Sequence, residues 1–106
     1  MTDPATVGEI IAQYQKHGWT PRRALLSDES GHLRPKFTPE VEIEISDIDA
    51  LWFSRRSTPE SEAWELRRLS GSPFALIAII SSGMSTEEIE ATLAQVADEM
   101  RSQTIA

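Results

Sequence analysis

The stretch from residue 63 to residue 100 constrains the fold most, because its successive patterns describe one complete supersecondary unit. In residues 63–69, the apolar side chains of Trp64 and Leu66 alternate with charged side chains. Turn-forming residues follow at 70–73, and residues 74–80 (FALIAII) are all apolar. A break of small residues then precedes a helical pattern. A short unbroken apolar run is typical of a strand buried on both faces. The stretch therefore predicts an antiparallel hairpin whose second strand is buried on both faces, with a helix folded back over it.

Two helices are predicted from capping signals and apolar periodicity. The tetrad TVGE at residues 6–9 has the spacing of a capping box, and Gly18 suits the position after a helix, so the first helix is predicted at residues 6–17. The tetrad STEE at residues 85–88 is a second capping box. The apolar stripe that follows it has helical spacing and consists of Ile89, Leu93, Val96 and Met100. Both ends of the chain are therefore expected to be helical.

Strands are predicted between the two helices. The segments are residues 19–27, 40–45, 51–56, 63–69 and 74–80, with a turn-rich loop at 28–39. One assignment stays open, because Pro59 could instead occupy the first position of a short helix that runs to Leu69. The alternation of Trp64 and Leu66 favours the strand.

These elements predict an α+β fold: an antiparallel meander of four to five strands, with the N-terminal and the C-terminal helix packed side by side on one face. The other face would then be apolar, because residues 74–80 present apolar side chains to both sides. Trp52 would lie there as well, on the side opposite Leu51 and Phe53. An uncovered face of this kind marks an interaction site, and a second copy of the chain is the commonest occupant. A homodimer is therefore expected.

The composition restricts the class of function. The chain has 106 residues, a net charge of −7 and no cysteine. Its apolar and charged fractions are those of a globular protein, so one domain spanning residues 1–106 is expected. The negative charge argues against nucleic-acid binding over a broad surface, and the absence of cysteine excludes zinc–thiolate sites and disulfides. No segment has the length of a membrane span and residues 1–5 lack the features of a signal peptide, so a cytoplasmic location is predicted.

The sequence contains no recognisable catalytic arrangement. No nucleophile has a base at a suitable spacing, no cofactor signature is present, and His17 is best explained as a cation at the end of a helix. An enzyme or a metal site is kept only as an alternative at the loop that carries Asp28, Glu29 and His32, since two carboxylates and an imidazole could meet there. No catalytic residue, metal ligand or cofactor is predicted otherwise.

Three adjacent arginine pairs accompany the tryptophans of the predicted sheet. Arginine and tryptophan dominate the energetics of protein interfaces. The predicted anchors of the interface are Trp52, Arg56, Trp64 and Arg68. Two alternatives stay open: the arginines pair with the glutamates of neighbouring strands, or the aromatic side chains stack on a small ligand or a single-stranded nucleic acid. The sequence thus predicts a small acidic, non-enzymatic interaction protein that acts as a homodimer through an exposed sheet face.

Overall fold

The computed structural model describes residues 4–37, 39–69 and 73–105, and this part of the chain forms two α-helices, five strands and a 3₁₀ helix. The elements in chain order are α1 (Pro4–Lys16), β1 (Thr20–Leu26), the 3₁₀ helix (Asp28–Lys36), β2 (Glu42–Ile45), β3 (Ala50–Thr58), β4 (Ser61–Arg68), β5 (Ala75–Ser81) and α2 (Thr86–Ile105). The predicted α+β class is confirmed. The predicted turn lies outside the described residues at positions 70–72.

The strands form one sheet in the order β2-β1-β3-β4-β5, which corrects the predicted meander. Strands β3, β4 and β5 follow one another as antiparallel neighbours, whereas β2 lies on the far side of β1 and runs parallel to it. The connection after β1 crosses one face of the sheet, where Leu33 and Val41 are buried beside Val7 of α1. This crossover returns the chain to the end of the sheet where β1 begins, so β2 becomes a parallel neighbour.

The two helices cover opposite faces of the sheet, and the prediction that they share one face is wrong. The cluster beneath α2 contains Ala50 and Trp52 of β3, whereas the cluster beneath α1 contains Leu51 and Phe53 of the same strand. Successive side chains of a strand point to opposite faces. Because β3 is apolar on both faces, both of its faces need a cover, and one helix supplies each.

Helix α1 begins at Pro4, two residues before the predicted start, because proline is well tolerated in the first turn of a helix. Gly18 follows the helix with a positive φ of 87°, as predicted for the residue after a helix end. The ring of Tyr14 stacks on Phe53 with a centroid separation of 4.0 Å. This contact fixes α1 over β3, near the middle of the sheet.

The capping box predicted for α2 is confirmed. The Ser85 backbone N–H donates to Oε1 of Glu88 at 3.1 Å, and the Glu88 N–H donates to Oγ of Ser85 at 3.2 Å. Leu93 and Met100 are buried, so the predicted apolar stripe faces the sheet. Neither helix of the described chain is both long and apolar enough to cross a membrane.

Residues 61–68 of the segment 59–69 form strand β4, which decides the open alternative in favour of a strand. It pairs with β5, the last strand of the sheet, and with β3 on its other side. The prediction that residues 74–80 are buried on both faces is wrong. Ala78 and Ile80 are buried under α2, but Ile77 and Ile79 on the other face are 57% and 56% exposed. Strand β5 is an edge strand that is covered on one face only.

Candidate interaction surface

The outer edge of β5 has backbone groups without a strand partner. The Arg68 N–H donates to the Phe74 carbonyl at 2.9 Å, and the Ser82 N–H donates to the Glu60 carbonyl at 2.8 Å. In an antiparallel pair the backbone groups of alternate residues point to opposite edges. The even-numbered residues of β5 therefore bond to β4. The N–H and C=O groups of Ala75, Ile77 and Ile79 point outward, where the described chain places no further strand.

Strand β5 has none of the features that protect an edge from pairing. Its seven residues, ALIAIIS, include no charge and no proline. The opposite edge, β2, is only four residues long and carries the exposed side chains of Glu42 and Glu44. Charges and short length are the usual means by which proteins prevent edge pairing. The sheet therefore has one protected edge and one open edge.

The open edge adjoins an uncovered part of the sheet face on the α1 side. The register places Ala63, Glu65 and Arg67 of β4 beside Ile79, Ile77 and Ala75 of β5, respectively. Helix α1 covers β1 and β3 but does not extend over β5, which explains the exposure of the two isoleucines. We call this region the β4–β5 face; it consists of the six residues just named.

The side chain of Tyr14 marks the boundary between α1 and the β4–β5 face. Its hydroxyl donates a hydrogen bond to Oε2 of Glu65. Burial, together with this bond to the Glu65 carboxylate, raises the pKa of the Tyr14 phenol well above its ordinary value. Burial disfavours a charged phenolate, and the nearby carboxylate both repels that charge and accepts the proton of the neutral phenol in a hydrogen bond. The Glu65 carboxylate is thus engaged by α1. The remaining surface of the face is mainly apolar.

A groove of about 410 Å³ runs between α1 and the sheet at this boundary. Its lining residues are Thr6, Glu9, Ile10, Gln13, Tyr14 and Arg67. Five of them belong to α1 and the sixth to β4, so the groove lies along the side of α1 that faces the β4–β5 face. The candidate surface is therefore concave beside the helix and flat towards the open edge.

The predicted anchors Trp52 and Trp64 do not belong to this surface. The structure brings the two indoles together at a centroid separation of 6.1 Å, but under α2, where they are 2% and 6% exposed. The guanidinium groups of Arg22 and Arg23 lie 4.8 and 5.9 Å from the centre of the Trp64 ring and cover it further. Both tryptophans are core residues. In this position they are not available to stack on bases or to contact a partner.

The predicted anchors Arg56 and Arg68 lie far apart on the α2 side of the sheet. In the register between β3 and β4, Arg56 is opposite Glu62 and Arg68 is opposite Ala50. These positions are six residues apart along β3, or about 20 Å. Arg56 is exposed and lines a recess of about 320 Å³, whereas Arg68 lies 5.3 Å from the centre of the Phe74 ring. The structure therefore does not combine the four predicted residues into one site.

The alternative metal site receives no geometric support within the described chain. Asp28 and His32 both lie on the 3₁₀ helix with exposed side chains. Among the described residues, no group of three or more histidine, aspartate or glutamate side chains is positioned to hold a metal ion.

None of the six residues of the β4–β5 face is among the four predicted anchors, although the run at 74–80 is predicted to contribute to the open face. The run also predicts a strand buried on both faces, because an apolar run alone does not distinguish a central strand from an edge. The order of the elements is a signal for an edge strand, because the last strand in a series of hairpins has only its predecessor as a neighbour unless the sheet closes.

Comparisons with protein-family models, with curated proteins and with solved structures found no match to this chain.

Proposed function

We propose that this chain is a non-enzymatic interaction protein that acts as a homodimer through the open edge of β5. Two copies pair antiparallel at this edge and join their five-stranded sheets into one sheet of ten strands. The observation that carries the proposal is the combination, in one strand, of an uncharged open edge with two isoleucines more than half exposed. Exposed apolar groups and unpaired edge groups both gain from a strand partner.

A second copy is the occupant that fits this edge by symmetry. An antiparallel pair of identical strands has a two-fold axis, and such an axis is the commonest symmetry of protein dimers. The outward backbone groups of Ala75, Ile77 and Ile79 require the axis to lie near Ile77 or Ala78, so that outward groups face outward groups. With the axis at Ala78, Ile77 of one copy faces Ile79 of the other; with the axis at Ile77, the two Ile77 side chains face each other and Ile79 lies opposite Ala75. The contact then joins four isoleucines by backbone hydrogen bonds on an apolar surface.

The distribution of charge is compatible with self-association at this edge. Each copy carries a net charge of −7, so two copies repel each other in general. Strand β5 contains no charged residue, and the acidic edge strand β2 lies at the opposite end of the sheet. The pairing of β5 strands therefore places no like charges from the two strands in direct contact.

The test is the mass of the protein in solution over a range of concentrations, measured by light scattering after gel filtration. A dimer is expected, together with slow hydrogen exchange at the amides of Ala75, Ile77 and Ile79, which have no partner strand in one copy alone. A monomer at all concentrations would overturn the proposal. A dimer in which these three amides exchange rapidly would overturn the assignment of the interface to β5.

A further inference from the structure

Pairing at the β5 edge covers backbone groups but leaves most of the β4–β5 face open. Neighbouring strands touch through the sides of their side chains, whereas the surfaces that point away from the sheet need a second layer. Ile77 and Ile79 point away from the sheet on the side of α1, where the described chain places no cover over β5. In the dimer, the isoleucines therefore lie at the centre of the two adjoining β4–β5 faces, which are still exposed to solvent.

The dimensions of the β4–β5 face match one α-helix in each copy. Neighbouring strands are about 4.8 Å apart, so β4 and β5 together present a strip about 10 Å wide. An α-helix with its side chains has a diameter of about 10 Å. Helix α1 rises beside the β4–β5 face, and the groove lies along the side of α1 that borders this face. A flat partner surface would therefore contact α1 before it reached the β4–β5 face, whereas a helix that lies beside α1 contacts the face directly.

The chemistry of this face indicates which side of a helix would contact it. Ala63, Ala75, Ile77 and Ile79 are uncharged, and the nearby Glu65 carboxylate already accepts a hydrogen bond from Tyr14. The charges at the groove, Glu9 and Arg67, are of opposite sign and lie towards α1. The matching surface is an uncharged apolar stripe at helical spacing with polar residues on either side, which is the pattern of an amphipathic helix.

We propose that each copy docks an amphipathic helix of a partner protein on the β4–β5 face, parallel or antiparallel to α1. This inference rests on the proposed function as an interaction protein, but the site is complete within one copy. In the dimer the two strips form a surface about 19 Å wide, four strands across, so two docked helices lie side by side. The stoichiometry is one helix per copy.

The experiment is a selection from a display library of random 18-residue peptides, with the wild-type protein as the bait. The enriched peptides are expected to carry apolar residues at positions i, i+3 or i+4, and i+7, and to become more helical on binding, as measured by circular dichroism. Peptides that alternate apolar and polar residues would overturn the proposal, because that pattern indicates a strand added to the β5 edge. Enrichment of no peptide would overturn it as well.

Two variants separate the docking site from the dimer. Ala63→Glu places a carboxylate on the β4–β5 face, in β4, away from the open edge and beside Arg55 of β3. It is expected to weaken the selected peptides about tenfold or more, because their apolar stripe would then meet a charge. It should leave the mass of the dimer unchanged. Ile45→Glu on the distant edge strand β2 is the control and should change neither the affinity for the selected peptides nor the mass of the dimer. Equal binding to Ala63→Glu and to the wild-type protein would overturn the proposal even if the protein is a dimer.

Discussion

Ile79→Lys is the substitution that tests the β5 interface most directly. Full burial of an isoleucine side chain contributes about 2 kcal/mol. Ile79 is 56% exposed in one copy, and the partner strand covers only the flank of this side chain, so pairing contributes about 0.5 kcal/mol per copy. The dimer contains this residue twice, and two lysines near the symmetry axis also repel each other. A total loss of about 2 kcal/mol is expected, half from the lost contacts and half from the repulsion, which weakens the dimer about 30-fold.

The assay is the light-scattering mass as a function of concentration, with circular dichroism as the check that the fold is retained. Ile45→Lys is the matched control, because Ile45 is 69% exposed and lies on the opposite edge strand, β2. Ile79→Lys is expected to be a folded monomer at concentrations where the wild-type protein and Ile45→Lys are dimers. A dimer of unchanged affinity in Ile79→Lys, or equal dissociation in both variants, would contradict the assignment of the dimer interface to β5.

The remaining predictions concern the fold. Ser85→Ala removes the helix cap and should cost about 1 kcal/mol in urea denaturation. The Ser85 backbone N–H, followed by its hydroxyl, lowers the pKa of the Glu88 carboxyl, so the stabilisation from this carboxylate is present above the ordinary pKa and is lost as the pH falls through the lowered one. Glu88→Gln should therefore be less stable than the wild-type protein at neutral pH, and this difference should shrink in acid. The phenol of Tyr14, the chain's single tyrosine, should ionise only well above its ordinary pKa of 10.0 in an absorbance titration, and Tyr14→Phe should abolish the signal. Trp52→Ala should cost about 4 kcal/mol of unfolding free energy, and a loss below about 0.5 kcal/mol would contradict the buried position of this indole.

Local sequence signals were sufficient to predict most of the elements. The Ser85–Glu88 capping box, the stripe that follows it and the glycine after α1 act within one or two helical turns, so their outcome does not depend on the rest of the chain. The alternation of Trp64 and Leu66 identified β4 as a strand for the same reason. These signals also gave the α+β class, because class follows from the kinds of element and their order.

The candidate site was predicted only in outline. The apolar run at residues 74–80 indicated an uncovered sheet face, and the structure contains one at Ile77 and Ile79, but the four predicted anchors do not lie on it. Alternation shows that Trp52 and Phe53 point to opposite sides of a strand; it contains no information on which helix covers which side. Two helices on one face would leave Trp52 on the open face, as an anchor for a partner, whereas α2 buries it.

Residue patterns alone located nearly every helix and strand and led to the expectation of an apolar surface in need of a partner. Only the tertiary structure decided that the two helices take opposite faces, that β2 runs parallel to β1, and that β5 exposes Ile77 and Ile79 at an open edge. The difference arises from the separation along the chain of the residues that interact. Periodicity and capping are properties of neighbouring residues, whereas the cover of a sheet face depends on the packing of segments that are far apart in the chain.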